Sequence, residues 1–289
     1  MNKMSNLYVI DGTFYIYSGA CAPMMKLTTP SGEPTTGTYL FTGEMLKLLT
    51  QKRPDMIIVA LDSHAKPTFR KEIYEGYKGT RSERPDGLDV QIKRSKEIMG
   101  ALGVKVIETP GFEADDIIGT VATMGEKAGH QVIICTRDKD LLQLVTPNVT
   151  IWEIKSGQTT DVVGVKEKWG IEPIQLVDFL ALQGDPADNI PGVRGIGPKK
   201  AVDLIQRFGC IESIYEKLHM VTGKLRDTLF EGKNMALLSK KLATIVRDAP
   251  IDTTLEDMIW RGPTMSKIVP LFNELGFRKH LATVQGNWR

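Results

Sequence analysis

Cysteine is scarce in this chain. Its 289 residues include only Cys21, Cys135 and Cys210, far apart and with no CxxC pair. That excludes a disulfide framework and a thiolate zinc site, and it suits a reducing cytosol. Long apolar runs are missing as well. None reaches the roughly 18 residues of a membrane span, and Met1 to Tyr8 lacks the apolar core of a signal peptide. The four histidines, His64, His130, His219 and His280, match no acid–base pattern and read as structural or surface residues. Net charge is only +2, which by itself says nothing about nucleic acid. Internal repeats and low-complexity linkers are absent too. What remains is ordinary globular material, 42% apolar and 25% charged, long enough for one large domain and a smaller one.

The distribution of charge says more than its sum. Glu113-Ala114-Asp115-Asp116 packs three carboxylates into four residues. They stand where an apolar strand, Val104 to Ile107, gives way through a Pro110-Gly111 turn to the helical pattern Ile117, Ile118, Val121, Ala122. Acids in a first helical turn complement the helix dipole, so capping is one reading. Capping explains one acid well and three poorly. Like charges this close repel, and a divalent cation is the simplest way to keep all of them ionised.

The same arrangement recurs along the chain. Leu7 to Ile10 is a short apolar strand ending at Asp11, which alone could be a helix N-cap. Leu40 to Leu49 reads as an amphipathic helix, and Met56 to Leu61 as a buried parallel strand ending at Asp62. Helices are expected over Val90 to Leu102 and Ala114 to Ala128, and a strand over Gln131 to Cys135. Asp138 and Asp140 follow that strand, and Leu141 to Leu144 reads as the start of another helix. One more strand is expected over Val149 to Ile154, then helices over Val162 to Trp169 and Pro173 to Leu182. Strand–helix alternation of this kind implies an α/β fold with a mainly parallel sheet and helices on both faces. Ligands of such sheets sit beyond the carboxyl ends of the strands, where Asp11 and Asp62 can converge.

Two segments break the alternation. Residues 64 to 96 carry nine basic side chains interleaved with Phe69, Tyr74 and Tyr77. A solvated surface is the plain reading; an arch over a nucleic-acid strand is the other, with cations on phosphates and aromatics stacked on bases. Further on, Asp185 and Asp188 precede Gly192-Val193-Arg194-Gly195-Ile196-Gly197-Pro198-Lys199-Lys200. The glycines allow a tight hairpin between two short helices, and helix-terminal amides with the lysines can hold a phosphate without reading bases. A plain helix–turn–helix connection would need fewer glycines and lysines. Residues 210 to 289 read as helical and as closing the small domain.

The acids at strand mouths and adjoining turns are therefore Asp11, Asp62, Glu113, Asp115, Asp116, Asp138, Asp140, Asp185 and Asp188. Hard oxygen ligands without histidine or cysteine select magnesium or manganese over zinc, and their number suffices for two ions. Two ions about 4 Å apart can stabilise the entering and leaving oxygens of a phosphodiester displacement.

Asp11-Gly12, Leu61-Asp62, Tyr77-Lys78-Gly79-Thr80-Arg81, Glu113 to Asp116, Thr136 to Asp140, Gly184 to Gly192 and Gly195-Ile196-Gly197 together form an ordered set. It resembles the 5′-nuclease (flap endonuclease) family, and within it the 5′–3′ exonuclease domain of bacterial DNA polymerase I and stand-alone phage 5′-exonucleases. The similarity runs from about residue 6 to 220. It implies a PIN-like nuclease domain over 1–172, with 64–96 as a basic helical arch, and an all-helical helix-hairpin-helix part over 173–289. It also implies cleavage of DNA at 5′ flaps and 5′ ends, removal of RNA primers, a monomer, a cytoplasmic setting and a DNA polymerase as partner.

Carried over by residue, Asp11, Asp62, Glu113 and Asp115 would serve the first metal. Asp115, Asp138, Asp140 and Asp188 would serve the second, with Asp116 and Asp185 helping through water. Lys78 and Arg81 match cations that steady the scissile phosphate, Tyr77 an aromatic beside them, and Arg70 is expected to join them. Gly192, Arg194, Gly195, Gly197, Lys199 and Lys200 would grip duplex, and a hairpin of this kind can hold potassium. No polymerase module follows, so a stand-alone nuclease or an excised domain is expected. A non-catalytic junction binder and a PIN-like ribonuclease are the competing readings. The complete acid set speaks against the first, and the hairpin with the arch against the second.

Overall fold

Continuously apolar runs build the central strands of this computed structural model, which describes residues 5–23, 26–81 and 83–288. Position 82 of the basic 64–96 segment lies outside them. Strand β1 (Asn6–Asp11) sends Leu7 and Val9 to one face and Tyr8 and Ile10 to the other, and both faces are buried. A strand covered on both sides has no polar stripe, which is why these runs read as continuously apolar. Helices α1 (Gly12–Ala20) and α2 (Thr36–Lys52) lead to β2 (Met56–Ala60), also buried throughout. The short α3 (Phe69–Ile73) and α4 (Leu88–Ala101) come before β3 (Lys105–Ile107). Then follow α5 (Ala114–Lys127), β4 (Gln131–Cys135), β5 (Val149–Trp152) and a two-residue edge strand, β6 (Thr159–Thr160).

The strand order is β3-β2-β1-β4-β5-β6, parallel except for β6. From β1 the chain builds outward through β2 and β3, then returns to the other side of β1 with β4. That reversal opens a crevice beyond the carboxyl ends of β1 and β4, where α/β sheets bind ligands. Asp11 closes β1, Asp62 lies just past β2, and Asp138 just past β4.

The helical part continues with α6 (Val162–Trp169), α7 (Leu176–Gln183), α8 (Pro198–Phe208), α9 (Ile211–Glu216) and α10 (Gly223–Ala243). Its apolar residues run on from the layer formed by α5 on the sheet, so one core joins the two parts. The chain ends with α11 (Met265–Glu274) and α12 (Arg278–Asn287). These two do not close the small domain as expected. Ile268, Phe272, Phe277 and Val284 pack with Met45, Leu49, Ile98 and Leu102 of the opposite face, and His280 Nε2 lies 2.9 Å from the Tyr39 carbonyl. An apolar helix stripe shows that a face is buried, not which surface buries it.

Smaller departures have local causes. Residues 140–144 form a short 3-10 helix rather than an α-helix: Val145 is already extended, and Pro147 disfavours the helical region at Thr146 before it. Pro173–Gln175 is likewise a 3-10 turn before α7. The segment 64–96 is not a free-standing arch of exposed aromatics. Tyr77 is buried, Phe69 packs 5.9 Å from Phe112, and Tyr74 leans on the main core.

Candidate active site

Each acid is held by the element that carries it. Asp11 caps α1, accepting from the Phe14 amide at 3.0 Å, and takes the Thr136 hydroxyl at 2.8 Å. Asp62 accepts from the Ala114 amide at 2.7 Å, and its own amide donates to Thr13 Oγ1 at 2.8 Å. Glu113 and Asp116 form a capping box at the start of α5. Asp138 accepts from the Asp140 amide at 2.9 Å. A cavity of about 490 Å³ is lined by Asp11, Asp62, Asp115 and Asp138, with Lys78 and Arg81 across from them. Four of the nine expected acids thus face the cleft directly.

Electrostatics divide the nine. Burial, with the charges of Asp138 and Asp62 adding to it, pushes Asp11 up to about 7 despite its two hydrogen bonds. Burial and the charge of Asp138 likewise push Asp140 up to about 7. Asp115 is raised well above the usual carboxylate range by burial and by Asp138 and Asp11. Asp140 Oδ1 is buried with no hydrogen-bond partner among the described residues. These are signs of negative charge that the chain's own cations leave uncompensated.

Glu113, Asp116, Asp185 and Asp188 are compensated. Glu113 accepts from Lys78 Nζ at 2.7 Å, Tyr77 Oη at 2.9 Å and Arg70 Nη1 at 3.2 Å. Asp188 accepts from Arg81 Nη2 at 2.6 Å and Tyr77 Oη at 3.2 Å. Burial would raise Asp188, but the Lys78 and Arg81 charges outweigh it and hold this carboxyl below its usual value. Asp185 pairs with Lys139 at 2.9 Å. Lys78 itself sits at a positive φ of 54°, and its amide donates to the Asp188 carbonyl, so the basic turn and the 185–190 turn are one structure. Asn189 completes it by donating to the Gly76 carbonyl at 2.7 Å.

Two expectations change here. Asp116 was expected to help a metal through water, and Arg70 to reach the scissile phosphate. Both are buried away from the cleft: Arg70 donates to Asp116 at 2.7 and 2.8 Å, and to the Leu242 and Thr244 carbonyls at 2.9 and 2.8 Å. Asp116 also accepts from the Val246 amide at 2.9 Å and the Glu113 amide at 3.1 Å. With every oxygen occupied and no water access, the pair is a strut that braces Glu113. Thr13, Thr136, Lys139 and Asn189 are the contributors the sequence reading passed over. Thr136 and Lys139, inside Thr136-Arg137-Asp138-Lys139-Asp140, and Asn189, next to Asp188, carried a signal, namely adjacency to the acids; Thr13 did not.

The residues fit divalent ions by donor chemistry: oxygens only, an unpartnered buried Asp140 oxygen, and three carboxyls raised by desolvation and by the charge of Asp138. Among the described residues no group of three acids is already drawn together closely enough to hold an ion. Bare carboxylates keep apart for the same reason that their protonation is favoured.

The hairpin lies between α7 and α8. Gly192 has a φ of 63°, and a Cβ there would stand 2.3 Å from the Gly184 nitrogen, so no other residue fits. Its amide donates to Ser239 Oγ of α10 at 2.9 Å. Gly195 has a φ of 91°, Gly197 caps α8, and Arg194, Lys199 and Lys200 are exposed. Lys200 Nζ folds back to the Gly195 carbonyl at 3.1 Å.

Comparison with known proteins now agrees with this geometry. Residues 6–170 match the family model for the 5′–3′ exonuclease N-terminal resolvase-like domain, and 171–266 that for the 5′–3′ exonuclease C-terminal SAM fold. The chain belongs to the 5′–3′ exonuclease family. It is 40% identical over 273 residues to a 5′–3′ exonuclease of Buchnera aphidicola, covering 90% of this chain and 93% of that one. It is also 40% identical over 285 residues to DNA polymerase I of Bacillus caldotenax, covering 96% of this chain but 32% of the relative. The chain thus spans about a third of the length of the DNA polymerase I relatives it matches. Among solved structures, phage T5 D15 protein crystallised with metal ions superposes with a TM-score of 0.68 at 20% identity, covering 97% of both chains. The catalytic core of Rad2 in complex with DNA gives 0.64 at 17% identity, covering 99% of this chain and 93% of that one. At these identities the likeness establishes the fold: a mostly parallel, PIN-like α/β domain joined to a helical one.

Proposed function

We propose that this protein is a divalent-metal-dependent 5′–3′ exonuclease and flap endonuclease. It hydrolyses DNA phosphodiesters near 5′ ends and at single-strand/duplex junctions, in replication and repair. The observation that carries this reading is the group of desolvated carboxylates, each raised by neighbouring acids, at the carboxyl ends of the strands, lining one cavity with Lys78 and Arg81. Asp11, Asp62, Glu113 and Asp115 would hold one ion; Asp115, Asp138, Asp140 and Asp188 the other, with Asp185 reaching it through water. Magnesium or manganese suits these ligands, and two such ions supply positive charge at the entering and leaving oxygens of the displacement.

The chain's own groups do the rest. Lys78 and Arg81 neutralise Glu113 and Asp188 until a substrate phosphate draws them away, which places their charge where the transition state needs it. Tyr77 shares its hydroxyl proton between Glu113 and Asp188 and ties the two carboxylates together. Arg70 and Asp116 act as positioning residues behind Glu113. Arg194, Lys199 and Lys200, with the glycine amides, hold duplex phosphates. Potassium at the hairpin would have to displace the Lys200 ammonium from the Gly195 carbonyl. Residues 1–172 carry the chemistry and the part from 173 onward the duplex contacts, with α11 and α12 serving the first. A monomer acting in the cytoplasm, on RNA primers as well as DNA, beside a polymerase, completes the proposal.

Cleavage of a 5′-labelled flap, with products read at one-nucleotide resolution, tests it. Magnesium or manganese should support cutting near the junction without added zinc, and excess chelator should abolish it. Undiminished cutting in chelator would sink the metal-dependent reading.

A further inference from the structure

Among the described residues, three other than glycine adopt a positive φ: Arg53 at 45°, Lys78 at 54° and Asn189 at 54°. Arg53 ends α2, where a left-handed residue is ordinary. The other two meet where the basic turn joins the 185–190 turn. Asparagine tolerates this backbone well. A lysine keeps it only where its surroundings dictate it.

Those surroundings are hydrogen bonds to the 185–190 turn. The Lys78 amide donates to the Asp188 carbonyl at 2.9 Å. The Gly76 carbonyl accepts from the Gly79 amide at 2.9 Å and from Asn189 Nδ2 at 2.7 Å, so the Asn189 side chain closes the turn that Lys78 occupies. Asn189 is itself fixed in place. Asp185 and Ile190 exchange amide–carbonyl bonds at 2.9 and 2.8 Å around it, and Ile190 is buried. The hairpin starts three residues on, at Gly192, whose amide is held by Ser239.

Backbone conformation decides which rotamers a side chain can use, and so where the Lys78 ammonium can reach. At its observed φ the ammonium stands 2.7 Å from Glu113 and lines the cleft. We infer that Asn189 is a positioning residue for Lys78. Its amide, acting through the Gly76 carbonyl, keeps the lysine in the left-handed region and thereby aims the ammonium into the cleft. The hairpin and the cation opposite the acids thus share one rigid support. The catalytic consequence rests on the function proposed above; the placement of the side chain does not.

Asn189→Gly is the informative substitution, because glycine accepts the same φ and only the amide is lost. Single-turnover cleavage of the 5′-labelled flap in magnesium should fall about tenfold, the rate equivalent of one lost hydrogen bond. The dissociation constant for the flap should stay within about twofold, and the thermal midpoint within about 2 °C. In a Lys78→Ala background the same substitution should cost less than about twofold, since two residues that act through one group are not additive. A tenfold loss in both backgrounds would overturn the inference. Unchanged cleavage would do the same, as would a loss of affinity large enough to account for the loss of rate.

A second readout needs no activity. The Lys78 side chain is 17% exposed and paired with Glu113, so an amine-acetylating ester should label it slowly, as read by peptide mass spectrometry. In Asn189→Gly its labelling should rise by about threefold or more, while that of the exposed Lys199 stays level. Equal labelling of Lys78 in the two proteins would overturn the inference. If the unaltered protein cuts no flap, the proposed function fails, and the labelling alone decides whether Asn189 places Lys78.

Discussion

Two sets of carboxylates lie within one site and behave in opposite ways. Asp11 is buried and Asp115 and Asp140 are half-buried, and desolvation together with the charge of Asp138 raises all three. Glu113, Asp116, Asp185 and Asp188 are buried and are met by Lys78, Arg70, Lys139 and Arg81. The first set costs the fold stability, and under the function proposed above an external cation would compensate it. The second set is internally balanced and holds the first in place. Sequence position does not separate them: Asp115 and Asp116 are neighbours, yet one faces the cleft and the other a guanidinium.

Removing one acid from each set should expose the contrast. Asp115→Asn should lower single-turnover cleavage by about 10³-fold or more, or roughly 4 kcal/mol of barrier. Its thermal midpoint in chelator should stay level or rise, because a repelling charge is gone. Unfolding of this variant would place Asp115 in the supporting set. Asp116→Ala should do the reverse, costing about 3–5 kcal/mol of stability in a urea titration by leaving Arg70 buried and unpaired. Adding Arg70→Met to Asp116→Leu should recover much of that loss, since apolar replacement of a whole buried pair is often neutral.

The pH dependence gives a smaller effect with a definite sign. Asp11 and Asp140 rise to about 7 in the folded protein, against about 3.9 for an unfolded aspartate. Between those values the folded state binds more protons than the unfolded state, so stability falls as pH increases. In chelator the thermal midpoint should therefore drop between about pH 4 and about pH 7. Saturating magnesium should flatten the slope by binding the ionised folded form. A profile that rises through this window in chelator would contradict uncompensated acids. The smallest effect is expected at the hairpin. Lys199→Ala with Lys200→Ala should weaken binding to every duplex sequence alike, and the log–log salt slope should become shallower by about 2.

Parts of this were readable from residues alone. An apolar run that stops at an aspartate, as at Asp11 and Asp62, marks both a buried strand and an acid at its mouth, because both follow from a parallel sheet. The hairpin was readable because only glycine tolerates the backbone at Gly192 and Gly195. Edge strand β6 was not: two threonines have no apolar period, and their pairing with Ile151 and Trp152 is purely tertiary. Arg70 was misread because a charge in a basic stretch looks exposed. Its burial depends on carbonyls of Leu242 and Thr244, 172 and 174 positions away.

That distance bears on how the molecule is made. Residues 242–249 form a strap held by Arg70, Asp116, Thr120 and Gln143, which binds the Ala243 carbonyl and the Ile245 amide at 3.0 Å each. A nascent chain exposes Asp11, Asp62 and Glu113 long before the strap exists. Until then Arg70 and Asp116 lack the partners that make their burial tolerable, and Glu113 lacks a rigid brace. Closing so long a loop is slow, and a contact of that sequence separation forms late. The nuclease site is therefore among the last features to set during synthesis, when most of the helical part is already available beside it.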